Sequence, residues 1–280
     1  MAKIKKNIQY PLEWLGIQLY MGLFGMMPLR VASAIGGKLG ELGRLVLKKR
    51  QKITADNIRA AIPECDTPEF YKRLWNNWGR AEIESLHLKK YARNIGKLVL
   101  IKNQELFDRA NSFDRLLVCH MHYGLMGLYT LPFCNNARFN IVYKQPHNPL
   151  SDKLLRRIFG TAARNSHFIA ASDSRAMMGA FLNNEKMAVA ADLKYNGVIA
   201  NFFGRPAKTP IGALKLADKF GCPILMMYDR RIGGIRHELV AEELIMPADT
   251  DKRNMQYIND VIERIIRRDP SQWLWQHRRW

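Results

Sequence analysis

From Lys97 onward the chain alternates short apolar runs with amphipathic stretches, and this alternation sets its architecture. Strands are predicted at Lys97–Ile101, Arg115–Cys119, Phe139–Tyr143, Ser166–Ala170, Met187–Ala191, Val198–Phe203, Pro223–Asp229 and Ile235–Leu244. Helical spacing predicts helices between several of them, at about Gly124–Phe133, Pro149–Arg157, Ser174–Asn183 and Pro210–Phe220, with a closing helix at Asn254–Arg268. Strands alternating with helices of this length build βαβ units, so the expected fold is α/β, a mostly parallel central sheet covered by helices. Upstream, Phe70, Leu74, Trp78, Ile83 and Leu86 mark a helix within Glu69–Arg93, after the turn cluster Pro63–Pro68. No repeat or low-complexity linker interrupts the chain, which leaves one domain, residues 31–280, behind an N-terminal segment, residues 1–30.

That segment holds Trp14 to Leu29 without a charge, between Glu13 and Arg30. The run falls short of the ~20 residues a spanning helix needs. It reads as a hydrophobic membrane anchor, either crossing the bilayer or lying in its interface. Lys3, Lys5 and Lys6 precede it, whereas Arg30, Lys38, Arg44, Lys48, Lys49, Arg50 and Lys52 follow, opposed only by Glu41. This bias places the following domain on the cytoplasmic side. Two readings compete with the anchor: a cleaved signal peptide ending at Ala32-Ser33-Ala34, which the basic excess opposes, and an ordinary core helix. The stretch Lys48–Arg59 is a solvated helix face or a contact for anionic head groups.

Composition narrows the function. In 280 residues, 48% apolar and 25% charged usage excludes a disordered or fibrous chain. Cys65, Cys119, Cys134 and Cys222 lie far apart, so neither a zinc site nor a disulfide framework is indicated. Charge is the unusual feature: 44 Lys+Arg against 25 Asp+Glu gives +19. Such a field implies an anionic partner, whether nucleic acid, anionic lipid or an acidic carrier protein. Trp273, Trp275 and Trp280 among basic residues speak for nucleic acid, but no recognition-helix or RNA-binding signature accompanies them, and no nucleic-acid partner is expected.

His120 and His122 close the strand predicted at Arg115–Cys119, where an open α/β sheet binds its ligands. Metal is not expected there, because no Asp or Glu occurs between Asp114 and Asp152. A neutral histidine can instead take a proton from a hydroxyl, and a helix starting just after it would keep the ring neutral. Asp192 ends another predicted strand. Farther on, Gly204-Arg205-Pro206 reads as a turn and Thr209 as the N-cap of a helix with Pro210 in its first position, putting Arg205 and Lys208 beside an anion-binding helix terminus.

Together, FFGRPAKTPIGALKLADKFGCPILMMYDRR (Phe202–Arg231), QWLWQHRRW (Gln272–Trp280), IVYKQPHNPLSDKLL (Ile141–Leu155) and NIRAAIP (Asn57–Pro63) make the chain resemble the bacterial lipid A biosynthesis acyltransferases. The resemblance implies a glycerolipid-acyltransferase-like fold over 31–280 and an inner-membrane enzyme facing the cytoplasm. It implies transfer of a fatty acyl chain from acyl carrier protein to a hydroxyl of a lipid A precursor or related anionic glycolipid, without metal or cofactor. The family signature is His, four residues, then Asp or Glu. His122 matches its general base, but the acid position falls on Gly127. Either another group orients the imidazole, Asp192 or a backbone carbonyl, or the chain is a catalytically silent homologue that binds glycolipid or acyl carrier protein. Gly127→Glu should raise the rate at least ~10-fold, by analogy with restoring a triad acid, whereas equal rates would mean that another group already orients the histidine. The resemblance further assigns Asp192 to a family carboxylate and sets Arg156 and Arg157 at an arginine-rich run able to bind phosphate or polarise the thioester carbonyl, Arg157 being the better match; Lys144, Arg205 and Lys208 are further candidates to hold substrate or phosphate.

Overall fold

The computed structural model describes residues 2–133, 138–160 and 165–280, with side chains from Gln9 onward; Cys134 and the side chains of Lys3, Lys5 and Lys6 lie outside that set. The chain begins with helices α1 (Ala2–Met26), α2 (Leu29–Val46), α3 (Lys48–Ala61), α4 (Pro68–Glu84) and the short α5 (Leu88–Ala92). There follow β1 (Val99–Lys102), α6 (Gln104–Asn111), β2 (Leu116–His120), β3 (Phe139–Tyr143), α7 (Pro149–Gly160), β4 (Ser166–Ala170), α8 (Ser174–Leu182) and β5 (Lys186–Ala190). The remainder is β6 (Val198–Phe202), β7 (Arg205–Thr209), α9 (Gly212–Lys219), β8 (Ile224–Gly233), β9 (Arg236–Ile245) and α10 (Met255–Arg268).

The main sheet runs β1-β9-β8-β2-β5-β3-β4. Strands β8, β2, β5, β3 and β4 are parallel, whereas β9 turns back antiparallel to β8 and pairs parallel with β1. Every residue of β2 is buried, as a strand covered on both faces must be, which is why it reads as an unbroken apolar run. Helix α10 covers one face with Ile258, Val261, Ile262, Ile265 and Ile266, all buried, and its first turn is capped by Asn254, whose side chain accepts from the Tyr257 N–H.

Four expectations need correction. The uncharged run Trp14–Leu29 is not one helix: it breaks at Met27–Pro28, between α1 and α2, because proline cannot continue an i→i−4 ladder. No helix of the described residues is long and apolar enough to cross a membrane. The long helix expected up to Arg93 ends at Glu84 and continues as a 3₁₀ turn and α5. The helix expected at Gly124–Phe133 is a turn followed by a 3₁₀ segment, Leu128–Phe133, since Gly124 and Gly127 take φ of +65° and +105°. Finally, Arg205–Thr209 is a strand and not a turn plus cap. Phe203 and Gly204, φ +51° and +71°, form a two-residue hairpin that pairs Phe202 with Arg205 outside the main sheet. Thr209 is buried there and α9 starts only at Gly212, so Arg205 and Lys208 flank no helix terminus.

Candidate active site

Strand register builds the site. Parallel β2 and β5 pair His120 with Ala190, and the ladder extends through the Ala191 N–H to the His120 carbonyl. Two residues beyond each paired end stand His122 and Asp192, which therefore meet at the carboxyl edge of the sheet. Asp192 Oδ1 lies 2.9 Å from His122 Nδ1, and Oδ2 accepts the His122 backbone N–H at 2.9 Å. Trp273 Nε1–H donates to Oδ2 at 2.7 Å. One carboxylate thus fixes both the ring and the backbone of the histidine. Because Nδ1–H serves the carboxylate, Nε2 is left as the basic nitrogen.

Asp192 is fully buried. Burial alone would raise its carboxyl, but the His122 charge and the hydrogen bonds from His122 and Trp273 prevail and hold it down at about 2. Its neighbour His120 goes the other way: burial, helped by His122, pushes that imidazole down to about 3. The His120 ring stacks on Tyr129 at 3.8 Å, which makes it a core residue. Among the described residues no α-helix starts just after His122, and the Asp192 carboxylate is the charge in contact with its ring.

His122 opens onto a cavity of about 120 Å³ whose walls include Leu74, Trp78, Met126, Phe159 and Leu274. These five are apolar, as the lining of a slot for an alkyl chain is. Ser271, Gln272 and Trp273 contribute another part of the wall. Gln272 accepts the Gly124 N–H, and the Leu274 N–H donates to the His122 carbonyl. The same cleft is lined by Arg231, paired with buried Glu84, which also meets His237; His237 in turn contacts Asp229, whose carboxylate accepts the Leu125 N–H beneath the 122–127 turn.

Gly127 is hemmed in by Leu88 and Phe159. At φ +105°, a Cβ there would stand 2.6 Å from Leu88 Cδ1 and 3.1 Å from Phe159 Cδ1. The turn demands glycine, and Asp192 occupies the orienting role's position against Nδ1.

The other residues singled out from sequence are dispersed. Arg157 is exposed on α7 and outside the cleft walls. Arg156 pairs with Asp152 one turn back and lies over the Tyr143 ring. Lys144 lines a separate polar hollow with His147, Ser172 and Tyr195. It is also close enough to His277, which burial keeps below its usual value, to depress that imidazole further, as do His122 and Arg50. Arg205 stacks over Trp280 at 5.1 Å and, with Lys49, Lys52, Arg59 and Arg278, lines a basic groove between α3 and the β6–β7 hairpin. Lys208 is exposed on β7. Sequence reasoning gave no catalytic role to Trp273, Gln272 or Arg231. All three lie in the two stretches carrying the strongest resemblance, and Arg231 sits just past the strand end expected at Asp229.

A His–Asp pair with its carboxylate buried, at the carboxyl edge of a parallel sheet and beside an apolar slot, is an arrangement suited to a class of enzymes that activate a hydroxyl for attack on an acyl group. Residues 1–280 match the family model described as Bacterial lipid A biosynthesis acyltransferase, and the chain belongs to that family. It is similar to the lipid A biosynthesis lauroyltransferase of Escherichia coli (strain K12), 26% identical over 283 residues, spanning 97% of this chain and 92% of that one. It is likewise 25% identical over 285 residues to the lipid A biosynthesis palmitoleoyltransferase of Escherichia coli (strain K12), spanning 97% and 91%. Among solved structures, the 1-acyl-sn-glycerophosphate acyltransferase PlsC of Thermotoga maritima aligns over 87% of this chain and 99% of its own, with a TM-score of 0.42 and 14% identity.

Proposed function

We propose that the protein transfers a fatty acyl chain from acyl carrier protein to a hydroxyl of a lipid A precursor or related glycolipid, with His122 as general base. The observation that carries this reading is the His122–Asp192 contact at the mouth of the apolar cleft. The acceptor oxygen attacks the thioester carbonyl carbon and a C–O bond forms, while the hydroxyl proton passes to His122 Nε2. Collapse breaks the C–S bond, and the departing thiolate takes that proton. Asp192 stabilises the imidazolium in between and stays ionised throughout.

Family membership supports a lipid A acceptor. The basic groove of α3 and the hairpin suits an acidic donor protein or a phosphorylated acceptor. Membrane attachment is interfacial on this reading. Leu12, Leu15, Leu19, Leu23 and Met26 form an exposed stripe along α1 at spacings of three and four, as an in-plane helix requires. The opposite face of α1 is fastened to the domain by Asn148, which donates to Glu13 and to the Tyr10 carbonyl, and by Phe24. The basic residues that follow α1 favour the cytoplasmic face of the inner membrane.

A silent homologue has Gly127 as its argument, and Asp192 seated on Nδ1 weakens it. The deciding assay incubates purified protein with lauroyl-acyl carrier protein and a lipid A precursor. Acyl transfer that His122→Ala lowers by at least ~10³ is the expected result; no transfer by the wild type would refute the proposal.

A further inference from the structure

We infer that Arg231 is a catalytic residue of this site, its guanidinium binding the donor's carbonyl oxygen as negative charge develops there. The inference rests on the acyl-transfer reading above. Among the described residues, the walls of the His122 cleft contain no other Lys or Arg. The group is held before substrate arrives. Nη1–H and Nη2–H donate to the two oxygens of Glu84 at 2.7 and 2.8 Å, a bidentate fork, and Nη1 also donates to the Gly234 carbonyl at 2.7 Å. Glu84 is completely buried and the arginine side chain is 9% exposed, so the arginine shows only an edge.

Arg231 and His122 are also tied to one piece of backbone. The Arg231 N–H donates to Gln272 Oε1 and its carbonyl accepts from Gln272 Nε2, while the carbonyl of Gln272 accepts the Gly124 N–H. Leu274, two residues on, donates to the carbonyl of His122 itself. Cation and base therefore share a frame that fixes their separation, the preorganisation that oxyanion stabilisation requires.

Structural service alone explains this arrangement poorly. A buried ion pair is seldom better for stability than apolar packing of equal volume. Moreover, Arg231 Nε–H is buried without an acceptor among the described residues, a donor that folding leaves unspent. The pairing with Glu84 also selects the ligand. A guanidinium already neutralised by a carboxylate is a poor site for a standing phosphate dianion, but it still offers directed N–H groups to a single transient oxyanion. During attack, the carbonyl π pair moves onto oxygen and is met by Arg231. On C–S cleavage the pair returns to the C=O bond, and Arg231 keeps all its protons.

The test is a double variant, Glu84→Gln with Arg231→Met, which removes both charges together so that neither is stranded. With lauroyl-acyl carrier protein and a lipid A precursor, kcat should fall ~10²–10³, as for loss of one oxyanion donor, with donor KM within roughly threefold of wild type and the melting transition retained. Arg231→Lys keeps a cation opposite Glu84 but not the fork, so it should stay folded and lose at least ~10-fold in kcat; it carries the test if the double variant does not fold. A folded double variant with wild-type kcat, or a loss confined to KM, overturns the assignment alone. A wild type that transfers nothing refutes the transferase reading and this inference with it.

Discussion

Asp192 accepts three hydrogen bonds in a space without solvent, and two of them fix a single histidine. Asp192→Asn keeps the shape but can present an N–H to Nδ1 and stabilise the wrong tautomer; kcat should drop ~10⁴ in the transfer assay, as in the serine-protease template. His122 was legible from its place at a strand end. Asp192 was legible as a strand-end carboxylate, but its contact with His122 was not, because 70 residues separate them and strand order is invisible in local patterning. Gly127 was misjudged for a related reason: its helical context was assumed, whereas φ is +105° and Leu88 and Phe159 close over it. Gly127→Glu should consequently yield no gain in rate and should cost ~1–3 kcal/mol of stability, measurable by urea unfolding.

At the level of elements, the strands of the main sheet were the most legible part. Phe139–Tyr143 and Ser166–Ala170 match the expected bounds, each being a five-residue run with a β-branched and aromatic core of Phe, Ile or Val. The β6–β7 hairpin was not, because Arg205–Thr209 carries Pro206 and polar residues, and its pairing depends on a two-residue turn with an unusual Phe203 conformation. Helices α2 and α4 make the closest helix contact, through glycine: a Cβ on Gly40 would lie 2.0 Å from the Trp75 carbonyl oxygen. Gly40→Ala should therefore force the two helices apart and lower the unfolding free energy by ~1–3 kcal/mol, with a reduced melting temperature as the readout.

For the molecule as a whole, acid stability is set by groups that folding keeps neutral. His120 binds its proton near 6.5 when unfolded but only near 3 when folded, so below 6.5 the unfolded chain holds more protons and stability falls with pH. From pH 7 to pH 5 this one ring should remove about 2 kcal/mol. His87 and His277, also lowered by burial, act in the same sense. Asp192 and Glu84, both held at about 2, keep their stabilising effect until pH falls from their unfolded values near 4 towards 2. Melting temperatures measured across pH 7 to 5 should decline, and His120→Gln should flatten that slope whatever its absolute stability.

The indole that seats Asp192 arrives late. Trp273 is made 81 residues after the carboxylate it holds, and Gln272 and Leu274, which pin the base, come with it. A chain lacking that segment still carries every strand of the main sheet, yet its His122–Asp192 pair loses the indole and the backbone contact that hold it in place. The setting of the base thus waits on contacts made far along the chain from it, and Trp273→Phe should lower the rate in the transfer assay while leaving most of the fold in place.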